Sequence, residues 1–241
     1  PARSGNRLVC TCEDMLTSHE ELVSAWQVLQ SIKTTNGLNS HDQWIHAAAG
    51  CGADERAVRD ATDDWLVVDY LMRNTDRHYN NFGLIRDIET LEVRPAPIYD
   101  TGASLWSGEL DVDGRDWFAK PFYTATGKPS ALRQLRLVED WSRFDLDALS
   151  DWPDEAAHEL SRMRMFAPER LDAIRDQLTK HIGTIRTIRE SKALRTSGPI
   201  RNRADLLDRF GDTLRKNLAR QDGDGKSAGI DYKGPRHHMG H

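Results

Sequence analysis

No stretch of about 18 consecutive apolar residues occurs anywhere in the chain, so the sequence offers no helix able to cross a bilayer. No charged-then-apolar leader opens it. Cysteine is scarce: Cys10, Cys12 and Cys51 are the whole complement of a 241-residue chain, too few for a disulfide framework, and the expected compartment is a reducing cytoplasm. No internal repeat is present. There is no excess of positive charge either. The net charge is -5, and it is unevenly spread: residues 192–241 carry 11 Lys/Arg against 6 Asp, leaving residues 1–191 at about -10. An acidic body does not fit a duplex-DNA binder, so nucleic acid is not an expected direct partner, and no membrane partner is expected. The first residue is Pro1 rather than Met, which raises the expectation that the chain is a piece of something longer.

What is present is mostly helical periodicity. SHEELVSAWQVLQS (18–31) opens with Ser18 and Glu21 in capping-box spacing and continues with Leu22, Ala25, Trp26 and Leu29, predicting a helix with one buried stripe. SHDQWIHAAAG (40–50) predicts a short helix between a Ser40 cap and a Gly50 stop. The strongest helical pattern covers 54–74, where Val58, Ala61, Trp65, Val68 and Met72 line one face and Leu66, Val67, Tyr70 and Leu71 widen it. Such a helix belongs in a core. FGLI (82–85) and LEVRPAPIYD (91–100), separated by a polar turn, predict a hairpin whose second strand is irregular or at an edge because of Pro95 and Pro97. Residues 103–128 show no regular pattern. Helices are expected over 129–139, 145–162, 167–190 and 203–220, with a Gly-rich polar end beyond.

Between the buried helix and the hairpin lies NTDRHYNNFG (74–83), and after the hairpin comes IYDTG (98–102). Asp and Asn are ordinary turn residues, and Asx-turns would explain them blandly. Phosphoryl transfer offers a sharper account. It needs an acid to accept a hydroxyl proton and oxygen ligands that hold magnesium against phosphates. Asp76 and Asn81 lie five apart on one loop, the spacing of catalytic base and metal-binding Asn in protein kinases. Asp100 follows Asn81 by 19 residues, and a folded-back hairpin would return it to the same point.

NTDRHYNNFG followed by APIYDTGASLW resembles the catalytic and metal-binding loops of HipA-like kinases, bacterial serine/threonine kinases whose C-terminal lobe is also similar to that of the phosphoinositide kinases. The resemblance covers about residues 6–190, with its sharp motifs in 74–104. It implies a mainly α fold with a small β-hairpin, a protein-kinase-like C-terminal lobe whose N-lobe is largely absent from this chain. Residues 1–191 would be that lobe, with a hinge near 6–15, the catalytic and metal loops at 74–104 and a helical bundle over 129–190. Residues 192–241 would be a basic tail, partly helical to disordered. Asp76 would be the catalytic base and His78 its neighbour, bracing the loop. Asn81 and Asp100 would hold magnesium, and Gly102 would let the chain turn after the metal-binding acid. Val9, Cys10 and Cys12, in the hinge, would border the ATP. The implied activity is ATP- and magnesium-dependent transfer to a protein Ser or Thr, in a toxin–antitoxin-like setting. The implied partners are a protein substrate and an N-lobe or antitoxin-like chain. The departure from the family is a missing phosphate-covering loop and strand lysine: Lys33, the first lysine, sits at a helix end. The competing expectation is therefore a non-catalytic kinase-like scaffold or regulatory interaction module. A lipid or small-molecule kinase would share the phosphate chemistry and differ only in its acceptor.

Other motifs are weaker. DGDGKS (222–227) has Arg220 where a phosphate loop needs Gly, and Lys226 where a calcium loop needs Asp or Asn. Cys10, Cys12 and Cys51 lack a second pair at zinc spacing and are expected to be buried free thiols. His237, His238 and His241 end the chain with an adventitious metal affinity. The tryptophans fall mostly on apolar helical positions and are expected in the core. Lys120 follows the metal acid where kinases place substrate-side loops, although a solvated or ion-paired lysine is the plainer expectation.

Overall fold

A computed structural model describes residues 2–4, 7–9, 12–33, 37–122 and 129–196, with side chains within 12–33, 37–122 and 129–193. Two compact units divide after Lys192. The second falls almost wholly outside the described residues, as do the helix expected at 203–220, the Gly-rich end and Cys10. The first unit begins with a two-stranded hairpin, β1 (Ala2–Ser4) and β2 (Arg7–Val9). None of the helices described is long and apolar enough to cross a membrane.

The centre of the unit is α3 (Glu55–Met72). Asp54 caps its start, the carboxylate accepting from Ala57 N–H at 2.8 Å. Val58, Trp65, Leu66 and Leu71 are buried, as the apolar pattern requires. Trp65 lies 5.0 Å from the Phe82 ring and 5.6 Å from Phe122, and Trp44 meets Phe82 edge-on at 5.0 Å. Each such pair adds about 0.5–1.5 kcal/mol beyond the burial of its surface. The helix stops where Arg73 adopts the left-handed conformation (φ 55°) and Asn74 N–H turns back to Asp69 O at 2.8 Å. Helix α2 (Ser40–Gly50) packs alongside, capped by Asn39 rather than Ser40: the Asn39 amide oxygen accepts from Asp42 N–H.

The expected helix over 18–31 is corrected by the structure. Residues Glu20–Ser24 form a strand, β3, and only Ala25–Ser31 are helical, as α1. The capping box is real but begins at Ser24, whose hydroxyl accepts from Gln27 N–H while Gln27 Oε1 accepts from Ser24 N–H. The reason is tertiary. Leu22 and Val23 pair with Ile85 and Leu84 of β4 (Gly83–Asp87), and β4 pairs with β5 (Val93–Pro95), giving an antiparallel sheet ordered β3-β4-β5. Ladder bonds and cross-strand packing outweigh a helical preference worth only tenths of a kcal/mol per residue. Trp26 consequently turns outward, 53% exposed, and Ala25 and Val28 carry the buried stripe instead. The predicted hairpin exists, but as two strands of three.

Gly83 opens β4 against the backbone of β3. A Cβ there would lie 2.2 Å from Val23 O and 2.9 Å from Ser24 Cα, neither of which can swing aside. Gly83→Ala is expected to destabilise the fold by about 1–3 kcal/mol through forced strand separation. A denaturant midpoint equal to that of the parent protein would show that β3 is not held there.

Behind α3 pack α4 (Ala131–Leu135), a 3-10 turn (Trp141–Arg143), α5 (Trp152–Arg162) and α6 (Pro168–Thr196). The first and third are shorter than the periodicity predicts: Glu139 and Asp140 N–H donate to Asp63 instead of continuing α4, and residues 145–151 turn through bonds from Asp147 and Ala148 N–H to the Asp145 carboxylate before α5 begins. Trp106 forms a second small core with Ile174 and Leu178 of α6. Beside it His181 is buried, 5.7 Å from the Trp106 ring, 5.4 Å from Trp117 and 5.1 Å from Tyr70, with Nδ1–H donating to Leu71 O at 3.1 Å. Burial, reinforced by the Arg73 charge, pushes its pKa below the ordinary 6.5. The native state thus holds the ring neutral while the unfolded chain takes up a proton. Its contribution is complete above about 6.5 and is lost as pH falls from there toward the depressed native value. Unfolding free energy should decline with acidification across that window, and His181→Gln should flatten the slope; an unchanged slope would place the titration elsewhere.

Candidate active site

Loop 74–81 leaves the C-terminus of α3 and enters β4, so a rigid helix and a paired strand hold its two ends. A buried guanidinium holds its middle. Arg77 is 2% exposed. Its Nε and Nη2 donate to the two carboxylate oxygens of Asp69, at 2.7 and 2.8 Å, a bidentate pair reaching back to the helix. The Trp65 ring lies 5.8 Å from the guanidinium carbon. Nη1 donates to two carbonyls, a short bond to Asn81 O and one of 2.9 Å to Tyr99 O. Two acceptors on one nitrogen lie no more than about 6 Å apart. The end of the loop and the residue preceding Asp100 are therefore pinned to one atom.

Further bonds close the same junction. Thr75 N–H and hydroxyl both donate to Ala103 O at 3.1 Å, and Leu105 N–H donates to Met72 O at 2.8 Å. The Tyr99 hydroxyl donates to Asn80 O at 3.0 Å. Asn74 Nδ2 donates to Asp69 Oδ1 at 2.8 Å. Burial pushes the Tyr99 phenol pKa up, opposed by the Arg77 charge and reinforced by that of Asp100. That phenol stays a neutral donor.

The sequence-predicted residues fall within this frame as follows. The Asp76 carboxylate stands in solvent, 54% exposed, with His78 Nε2 3.9 Å from its Oδ2. His78 Nδ1 accepts from Asn80 N–H at 3.2 Å, so the ring proton sits on Nε2 and faces the acid. Asn81 is buried, and its Nδ2 donates to Asp76 O at 2.9 Å, so its amide oxygen is the atom that could hold a metal. Asp100 is exposed and adopts φ 53°, a left-handed conformation. The turn expected at Gly102 is thus made by Asp100 itself, because Gly102 does not have a positive φ. Val9 ends β2, and the free cysteines among the described residues are less buried than expected: Cys12 is exposed and Cys51 half-buried. Lys120 borders a cavity of about 10 Å³ beside Asp69, Asn74 and Trp65, room for about one water.

Asp69 and Arg77 are the residues that sequence reasoning passes over. A signal was there: Asp69 stands among Leu66, Val67, Tyr70 and Leu71 on a helix buried nearly all round, and an acid so placed needs a cationic partner.

A mainly helical body with a three-stranded antiparallel sheet, and a helix–loop–hairpin junction carrying Asp, His and Asn, is a kinase-like arrangement. Comparison with known proteins agrees at that level. The sequence matches no family model. A stretch of 111 residues, 44% of the chain, is 28% identical to the serine/threonine-protein kinase CtkA of Helicobacter pylori strain J99 and spans 34% of that relative's length. The crystal structure of the H. pylori proinflammatory kinase CtkA superposes with a TM-score of 0.55 at 16% identity, over 78% of this chain and 71% of that one. At that identity the likeness is one of fold.

Removing Arg77 would leave the Asp69 carboxylate buried without its counter-charge. Arg77→Ala should therefore destabilise the protein by about 3–5 kcal/mol. Asp76→Ala and Asp100→Asn, which alter exposed carboxylates and at residue 100 keep a side chain that tolerates the left-handed backbone, should stay within about 0.5 kcal/mol of the parent. Equal losses from all three in equilibrium unfolding would show that the acids are structural.

Proposed function

We propose that this chain is the metal-binding and proton-accepting part of an ATP-dependent serine/threonine protein kinase. The observation that carries the proposal is the sharing of Arg77 Nη1 between the carbonyls of Asn81 and Tyr99, which draws the Asn81 amide and the Asp100 carboxylate to one junction. A carboxylate and an amide oxygen are hard ligands of the type magnesium takes while keeping several waters, so the donor set fits that ion. Magnesium bound there would neutralise charge on the nucleotide phosphates. Asp76 accepts the proton of the attacking hydroxyl; its exposure keeps it reachable by a protein side chain. His78, with Nε2 3.9 Å from Asp76 Oδ2, stands beside that carboxylate and braces the loop. Arg77 and Asp69 fix the distance between base and metal ligands without touching either substrate.

Similarity to CtkA supports protein Ser or Thr as acceptor. The proposal also requires a phosphate-covering loop and a strand lysine. Residues 12–73 hold a single lysine, Lys33, which lies beyond the end of α1, so these parts must come from other sequence or another chain. A cytoplasmic setting, a hinge role for Val9 to Cys12 and an antitoxin-like partner belong to the same proposal.

This chain alone should bind ATP weakly and only with magnesium, because it lacks the covering donors and residues 1–191 carry about -10. Asp100→Ala should abolish that binding in calorimetric titration, and Asp76→Ala should preserve it. Tight binding without magnesium, or binding indifferent to Asp100, would overturn the assignment.

A further inference from the structure

Away from the loops just described, the first turn of α2 meets the segment after α4 at an arrangement the kinase chemistry does not use. His41, Asp42 and Glu139 each present a ligand atom within 4.8 Å of those of the other two. His41 is 4% exposed, with Nδ1 3.2 Å from Asp42 Oδ1 and Nε2 buried without a hydrogen-bond partner. We propose that His41, Asp42 and Glu139 bind a divalent transition-metal ion of the zinc class. Nδ1 is the ring nitrogen turned toward Asp42 and is the ligand atom, its proton displaced by the metal, whereas Nε2 lies on the far side of the ring and takes no part in the site.

The geometry supports this. Ions of this class take imidazole nitrogen and carboxylate oxygen at about 2.0–2.2 Å, which sets ligand atoms roughly 3–4.5 Å apart. The carboxylates are already oriented from behind. Asp42 Oδ2 accepts from Asn39 Nδ2 at 2.7 Å, leaving Oδ1 toward the histidine. Glu139 Oε1 accepts from Arg59 Nη1 at 2.7 Å, leaving Oε2 free, and Arg59 is balanced in turn by Glu55 at 2.8 Å. Such supporting bonds typify metal ligands. The backbone under Glu139 is fixed as well: its N–H and that of Asp140 donate to the buried Asp63 carboxylate at 2.8 Å. Two carboxylates and a neutral imidazole balance a 2+ charge. A mixed nitrogen–oxygen set favours zinc, cobalt or nickel over magnesium or calcium, which take oxygen. With Asp42 and Glu139 partly exposed, at 40% and 39% of their side-chain surface, solvent completes the coordination. The bound ion would fasten the start of α2 to the 138–140 segment, both of which rest on α3.

The test uses the whole chain with His237, His238 and His241 replaced by alanine, since those residues would also take up metal. After chelator treatment it is titrated with Zn²⁺ by calorimetry and with Co²⁺ by visible absorption, and its Tm is recorded with and without Zn²⁺. One equivalent should bind, raise the Tm and give the Co²⁺ spectrum of a low-coordinate nitrogen–oxygen site. Glu139→Gln and Asp42→Asn should each weaken Zn²⁺ about tenfold or more and cancel the rise in Tm, while Asp100→Ala should change neither. Glu139 is partly exposed, so its variant keeps the fold even if one at His41 does not. Absence of stoichiometric binding, equal affinity in the parent and both variants, or binding lost only with Asp100→Ala would overturn the proposal.

Discussion

A buried ion pair, Arg77 with Asp69, sets the position of the loop and the hairpin return that carry the candidate active-site residues. Burying two charges costs several kcal/mol each, and that cost is offset only when the geometry is good and every donor is used. Here the guanidinium gives two bonds to one carboxylate and two to backbone carbonyls, over a tryptophan ring. The carboxylate takes a further bond from Asn74. Because the carbonyls belong to Asn81 and Tyr99, the pair joins three segments: the central helix, the loop that follows it and the return from the hairpin. An apolar contact could join the same segments, but it would not fix their spacing, since dispersion and burial have no direction.

The distribution of exposure follows from that arrangement. The groups that hold the junction together, Asp69, Asn74, Arg77 and Asn81, are buried, whereas the carboxylates of Asp76 and Asp100 face solvent. In the proposed roles, Asp76 and Asp100 would be reachable by a substrate hydroxyl and a metal ion, while Asn81 would offer its oxygen from within the buried layer. Binding sites are built in this way when precision comes from a supporting layer and reactivity from residues standing on it. Asp100 shows the tension in its backbone, which takes a left-handed conformation that a glycine would adopt more easily.

The same helix that anchors the candidate active-site loop also organises a second cluster. Asp63, six residues before Asp69 on α3, binds the backbone of Glu139 and Asp140, and burial raises its pKa. Thus α3 carries two buried acids with two different partners. One holds a guanidinium and the kinase-like loop; the other holds backbone amides and the segment that presents Glu139 to His41 and Asp42. The fold likeness to CtkA concerns the shared scaffold, and each of the two clusters must be tested on its own residues.

The sequence alone settled what local rules control. The apolar stripe of 54–74 marked the buried helix to within two residues at each end, and the two short runs after it marked the β4–β5 hairpin. That Asp76 and Asn81 lie between α3 and β4, and Asp100 after β5, was legible from the order of those elements. Tertiary structure decided the rest. Residues 20–24 became a strand because β4 offered an unpaired edge, and that choice moved the capping box to Ser24 and turned Trp26 outward. Asp69 and Arg77 lie eight positions apart, on a helix and on the loop after it, and no periodicity relates them. Likewise His41 and Glu139 meet only because α2 and the 138–140 segment both pack on α3. Local pattern reports which face of an element is apolar; the particular pairing of distant charges requires that the elements first be brought together.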